Sequence, residues 1–169
     1  MYAFQSTFPL YHISENTANL ETDILGTWNL IEHSASRTIA ETGTTIIENG
    51  SDYNYTIVIT DNPKFINTNG SYNVNVDETN SQNQTSSFNY IVNSNENQQE
   101  GFHIGEWSIS NGNLITRVFD DEPNGPGSYQ QTSEIVELTE NRLVLKTDDS
   151  ASSSENYTVT GNTTLVYER

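Results

Sequence analysis

The sequence predicts an all-β protein, an antiparallel up-and-down barrel of roughly eight to ten strands. Three observations predict it. Short runs alternate apolar with polar residues, as in Tyr53-Asn54-Tyr55-Thr56-Ile57-Val58-Ile59, the period of a half-buried strand. Gly, Asn and Pro signals separate these runs at hairpin spacing. No segment holds a helical period for three turns. A meander of this length exposes two edges unless it closes on itself, which favours a barrel. A two-sheet β-sandwich is the alternative.

Residues 1–23 read as an N-terminal extension or linker, with a short helical turn near Leu20–Leu25, and residues 24–169 as the barrel domain. The first strand runs over Leu25–His33, with Gly26, Trp28 and Leu30 on one face. Residues 34–49 are polar apart from Ile39, Ile46 and Ile47, and Asn49-Gly50 signals a turn. The Tyr53–Thr60 strand ends before Pro63. Asn69-Gly70 signals another turn, followed by the alternation Tyr72, Val74, Val76. Residues 77–85 read as a loop, Phe88, Tyr90 and Val92 as a strand, and residues 93–100 as a loop. Phe102–Ile109 and Leu114–Phe119 flank Asn111-Gly112, the strongest hairpin signal in the chain because both turn residues need positive φ. A Pro- and Gly-rich loop over 120–128 follows. Thr132–Leu138 and Leu143–Thr147 form a second hairpin. Beyond an acidic, Ser-rich loop, Tyr157–Thr160 and Thr163–Glu168 read as a third, turning at Gly161-Asn162.

Composition narrows the partners. Six basic against twenty-three acidic residues give a net charge of −17, which repels nucleic acid and anionic membrane surfaces. No run is long and apolar enough to span a bilayer as a helix. There is no cysteine, hence no disulfide framework and no thiolate metal site. Residues 1–10 lack a signal peptide's basic and apolar regions. That leaves a cytoplasmic protein or one whose signal has been removed; the acidic, Asn/Ser/Thr-rich, Lys-poor make-up points to the second, a secreted or cell-envelope protein whose signal segment is not present in this chain.

The candidate site residues are aromatic. Tyr53, Tyr55, Phe88, Tyr90, Phe102, Trp107 and Tyr157 sit on or beside alternating strand positions and would line a pocket if those positions face the lumen; a solid core is the other use of the same residues. Trp28 and Trp107 serve core packing first. Strict alternation sets Phe102 and Ile104 opposite His103, Gly105 and Trp107, whereas a bulge at Gly105 would unite the two sets. The three histidines, His12, His33 and His103, have no metal-ligand spacing, and His103, between apolar neighbours, is the one to watch as a ligand contact. The acidic runs Asp120-Asp121-Glu122 and Asp148-Asp149 lack the spacing of a calcium loop. No nucleophile motif occurs, and Glu32 and Glu106 are the strand carboxylates available for an acid/base pair. Neither a cofactor nor a catalytic residue is assigned, and a monomer is expected.

Ile24-Leu25-Gly26-Thr27-Trp28-Asn29-Leu30, Gly105–Ile115 with its second Gly-x-Trp and Asn-Gly turn, and the hairpin Ile135–Leu145 occur in an order and spacing that resemble the bacterial lipocalin-like proteins common in Bacteroidetes. The likeness covers roughly residues 24 to 168. It implies a calyx, a barrel open at one end that holds a small apolar ligand; with no catalytic motif in the chain, the expected function is non-enzymatic binding of a small hydrophobic or amphipathic molecule. The likeness also implies a structural signature of Gly26, Trp28, Gly105 and Trp107, with an Arg from a late strand stacked on the first Trp. Arg169 takes that place, and Arg142 is second. A surface sandwich binding glycan or protein through its loops, and a small barrel enzyme with a lumenal carboxylate pair, are the other functional readings.

Overall fold

A computed structural model of the chain describes residues 17–96, 98–119, 128–154 and 157–169. His12, the Asp120-Asp121-Glu122 run and the first sixteen residues of the expected extension lie outside them. A short helix, α1 (Thr17–Asp23), precedes nine strands: β1 (Gly26–Ile39), β2 (Thr44–Asp61), β3 (Lys64–Thr79), β4 (Thr85–Ser94), β5 (Gly105–Ser110), β6 (Asn113–Phe119), β7 (Ser128–Leu138), β8 (Arg142–Asp148) and β9 (Val159–Glu168). A 3-10 turn, η1 (Asp149–Ser152), follows β8. No helix among the described residues is long and apolar enough to cross a membrane.

The strands form a closed antiparallel up-and-down barrel. Hydrogen bonding runs β2-β1-β9-β8-β7-β6-β5-β3, and the β2–β3 pairing closes the ring of eight, which rules out the sandwich. Two irregularities shape the ring. At the β3–β5 seam only Phe65↔Glu106 and Ile66↔Gly105 pair. Farther along that same edge of β3, β4 pairs over ten residues, from Gly70↔Ser94 to Thr79↔Thr85, and so stands outside the ring as a ninth strand.

The strands are longer than the sequence reading gave, and several turn signals fall inside them. β1 continues past His33 to Ile39, and β2 begins at Thr44, so most of the segment read as polar connection is barrel wall. Asn49-Gly50, Asn69-Gly70 and Gly161-Asn162 lie within β2, β3 and β9; the last two runs are one strand, not a hairpin. At Gly70 and Gly161 glycine is needed for close approach of a neighbouring strand, and at Gly50 for the Tyr53 ring of the same strand, not for chain reversal. A Cβ on Gly70 would meet the Asn54 carbonyl oxygen at 1.9 Å, and one on Gly161 the Ser36 carbonyl oxygen at 2.1 Å. The Asn111-Gly112 hairpin stands as read, with φ of 51° and 76°. At the other end, Phe102 to Ile104 precede β5 instead of opening it.

One end of the barrel is a solid core. Trp28, Ile57, Ile59, Ile66, Leu143, Leu145, Leu165 and Tyr167 point inward and are buried, with Ile24 and the partly buried Leu20 of the α1 region packed against them. The Trp28 indole N–H donates to the Ile24 carbonyl at 2.8 Å. The Arg169 guanidinium covers the outer face of that indole, 4.0 Å from the ring centroid, and donates to the Asp23, Leu25 and Glu140 carbonyls. These bonds anchor the residue against fraying.

Candidate functional site

The other half of the lumen holds a buried polar cluster beside Tyr72, Val74 and Val76. A bulge in β1 brings this about: its register against β9 shifts between Leu30 and Glu32. Trp28 and Leu30 face inward before the shift; His33, Ala35 and Arg37 do so after it. Arg37 then meets β2 and η1. It donates from both terminal nitrogens to the Glu48 carboxylate, at 3.0 and 2.8 Å, and from Nε to Asp149 at 3.0 Å. The Thr163 hydroxyl also donates to Asp149. Burial works against both charges of the Arg37–Glu48 pair. Their mutual attraction, with Asp149 on one side and His33 on the other, outweighs it: the guanidinium pKa is raised and the Glu48 pKa sits below the usual carboxylate value.

His33 lies beneath this cluster, with its Nε2 at 3.5 Å from Glu48 and its Nδ1 at 3.2 Å from the Tyr72 hydroxyl. Its backbone N–H donates to the Tyr53 hydroxyl. Tyr53, Tyr55 and Phe102 pack around the Tyr72 and His33 rings. Three of the expected pocket aromatics therefore meet, but as a packed ring cluster whose members bond one another. Tyr55 is 3% exposed and gives its hydroxyl proton to the Glu100 carbonyl at 2.6 Å, with its pKa pushed up by burial.

The remaining candidates separate. Phe88 and Tyr90 stand half-exposed on β4, across from Val76 and Val74. Trp107 is buried in the filled half, donating to the Thr60 carbonyl at 2.7 Å, with the Lys64 ammonium over its ring. Tyr157 is exposed beside Ser154. Irregular backbone at His103 and Gly105, both at positive φ, turns His103, Ile104, Gly105 and Trp107 all inward. His103 is fully buried; its Nε2 is 3.0 Å from the Ser133 hydroxyl, which also contacts Thr147, and its Nδ1 has no partner. Burial depresses its pKa to about 4. Glu32 and Glu106 both face outward. Among the described residues no three His, Asp or Glu side chains converge as metal ligands do.

The cavity lies where the wall opens. β7 pairs with β8 only as far as Glu134↔Lys146. Beyond that β7 stays with β6 to Ser128, β8 stays with β9 to Asp148, and the two diverge. A cavity of about 1110 Å³ fills the wedge and reaches inward to Arg37 and Phe102. Gln131, Thr132 and Tyr129 line one side; Thr147, Asp149 and Ser150 line the other. Most of the wall donates or accepts hydrogen bonds without carrying charge, and Phe102 and Tyr129 supply apolar faces. Nothing in the sequence pattern marks Arg37, Glu48, Gln131 or Asp149 as a site residue. The alternation that would have placed Arg37 breaks at the β1 bulge, and Glu48 sits next to an Asn-Gly that reads as a turn.

The chain matches no model of a known protein family, and a search of curated proteins finds no match.

Proposed function

We propose that this protein is a non-enzymatic binding barrel that takes a small amphipathic molecule through the gap between β7 and β8. The observation that carries this reading is the 1110 Å³ cavity in the wedge, a volume suited to a small ligand. Among the described residues, apolar side chains fill one half of the barrel, which disfavours a long fatty chain. Asn, Gln, Ser and Thr side chains suit a hydroxyl-rich head, and Phe102 and Tyr129 suit a short apolar portion. Glu134, Asp148 and Asp149 outnumber Arg37 and Lys146 in the lining, so a neutral or cationic ligand is favoured over an anion. Kinship with the bacterial lipocalin-like proteins, and with it an exported location, rests on the sequence resemblance; the closed barrel and the Arg169–Trp28 stack are compatible with that kinship.

Catalysis is disfavoured by the state of the two lumenal carboxylates. Glu48 and Asp149 share Arg37, and Glu48 is held below its ordinary pKa, the reverse of the raised carboxylic acid that glycoside cleavage needs.

Titration with octyl glucoside and, separately, octanoate, followed by amide NMR, tests the proposal. Saturable shifts confined to Phe102, Gln131, Thr132 and Thr147 are expected with the glucoside, with octanoate at least about tenfold weaker. Tyr129→Ala, at a half-exposed position in the wall, should weaken binding several-fold without altering the melting temperature. Absence of localised shifts with both probes would overturn the assignment.

A further inference from the structure

We infer that β4 is the contact strip of a homodimer, in which the free edges of two copies pair antiparallel and the sheet runs from one barrel into the next. Among the described residues β4 has a strand neighbour on one side alone, β3. Its ten residues pair with β3 without a register shift, so no bulge twists the other edge away. Thr85 to Ile91 are all exposed, including Phe88 at 51%, Tyr90 at 40% and Ile91 at 63%. Long, flat, apolar edges of this kind are normally protected by Lys, Pro or a bulge; Thr85-Ser86-Ser87-Phe88-Asn89-Tyr90-Ile91-Val92-Asn93-Ser94 has none.

Charge identifies the occupant as a second copy. At −17, two copies of this chain repel over most of their surfaces. Of the nine strands, β4 is the one without an Asp, Glu, Lys, Arg or His. A cationic partner would settle elsewhere on so acidic a surface, whereas an identical acidic chain approaches best along a neutral strip. Antiparallel pairing also sends Asp77 and Glu78, the carboxylates on β3 nearest the Thr85 end, to opposite ends of the two-fold strip.

The backbone sets the register. The Asn93 N–H donates to the Glu100 carboxylate at 2.9 Å, beyond the β3 ladder, so the odd-numbered residues of β4 turn their amides and carbonyls to the free edge. Thr85, Ser87, Asn89 and Ile91 therefore present the unpaired groups, and Glu100 bounds the strip. The symmetric register centred on Asn89 pairs three of them: Asn89 opposes its own copy, Ser87 opposes Ile91 of the other copy, and Phe88 falls opposite Tyr90 twice, in the closer non-hydrogen-bonded sites that favour aromatic pairs, while Thr85 falls opposite Asn93, whose N–H Glu100 holds. Such self-complementarity is what an isologous two-fold interface requires.

Sedimentation of the full chain from micromolar to submillimolar concentration tests the inference, together with one-cysteine variants, which are clean probes because the chain has no cysteine. The expected mass is twice 18.9 kDa. Asn89→Lys sets two like charges face to face and should give monomers with an unchanged melting temperature, while Ser108→Lys, on the exposed face of β5, stays dimeric. Asn89→Cys should cross-link under mild oxidation, since hydrogen-bonded antiparallel partners lie at a Cα separation of about 5.5 Å that a disulfide spans, and Ser108→Cys should not. A wild-type monomer throughout the range, with the Ser87, Asn89 and Ile91 amides protected from exchange by another part of the chain, would overturn it. So would a dimer indifferent to Asn89→Lys.

Discussion

Arg169 acts on the fold through one side chain that joins two separate stretches of backbone, at residues 23–25 and at Glu140, and an indole. It accounts for a cation–π contact with Trp28 and three bonds to carbonyls, so Arg169→Ala should lower stability by about 2 kcal/mol. Arg169→Lys, with its charge but no planar fork, should recover only part of that in a denaturant midpoint. His103 sets a different dependence. Its folded pKa near 4 lies below the ordinary histidine value of 6.5, so the unfolded chain binds the extra proton between these values. The stability tied to the neutral imidazole is full above pH 6.5 and declines as pH falls toward 4, by about 3 kcal/mol in total. The wild-type stability minus that of His103→Gln, measured over this interval, should show that slope; a pH-independent difference would remove His103 as its source. Both residues were visible in the sequence, Arg169 by its resemblance and His103 by its apolar neighbours. Arg37 was not, since its three partners come from β2, η1 and β9 and nothing local marks it.

Between residues and fold stand the strands, where the glycines carried the largest misreading. Gly112 and Gly161 look alike in the sequence, each beside an Asn between apolar runs. Gly112 lies at a true turn, with nothing within 4 Å of an added Cβ, whereas Gly161 has the Ser36 carbonyl oxygen against it. Gly112→Ala should therefore cost about 1 kcal/mol of backbone strain, and Gly161→Ala more than about 2 kcal/mol through a clash with the neighbouring strand, as read from thermal unfolding. That difference depends on β1, which is remote in sequence. Alternation was legible wherever it continued unbroken, as over Tyr53–Thr60 of β2; it failed at the β1 shift, which reverses the faces without a compositional mark, and at the His103–Gly105 irregularity, where the glycine allowed a bulge without requiring one.

The all-β class and barrel closure could be read because apolar periodicity and hairpin spacing are properties of the whole chain. The wedge between β7 and β8 and the outward departure of β4 depend on where pairing stops, and both partners of each lost pair remain good strand formers. Those two departures lie on different parts of the molecule: one opens the wall at the cavity, the other leaves a neutral edge on an acidic surface. The closing of the ring also orders events in time. Asn29 bonds the Glu168 carbonyl across 139 positions of chain, and β1 pairs with β9 over nearly its whole length. During synthesis the hairpins β1–β2 and β2–β3 can form while later strands are still being made. The β1 edge that β9 will cover, with Leu30, His33 and Arg37 along it, must wait. A nascent chain halted before β9 is thus an open, curved sheet with an uncovered core, a natural target for a holding chaperone or for proteolysis, and release of the last strand converts it into a hoop.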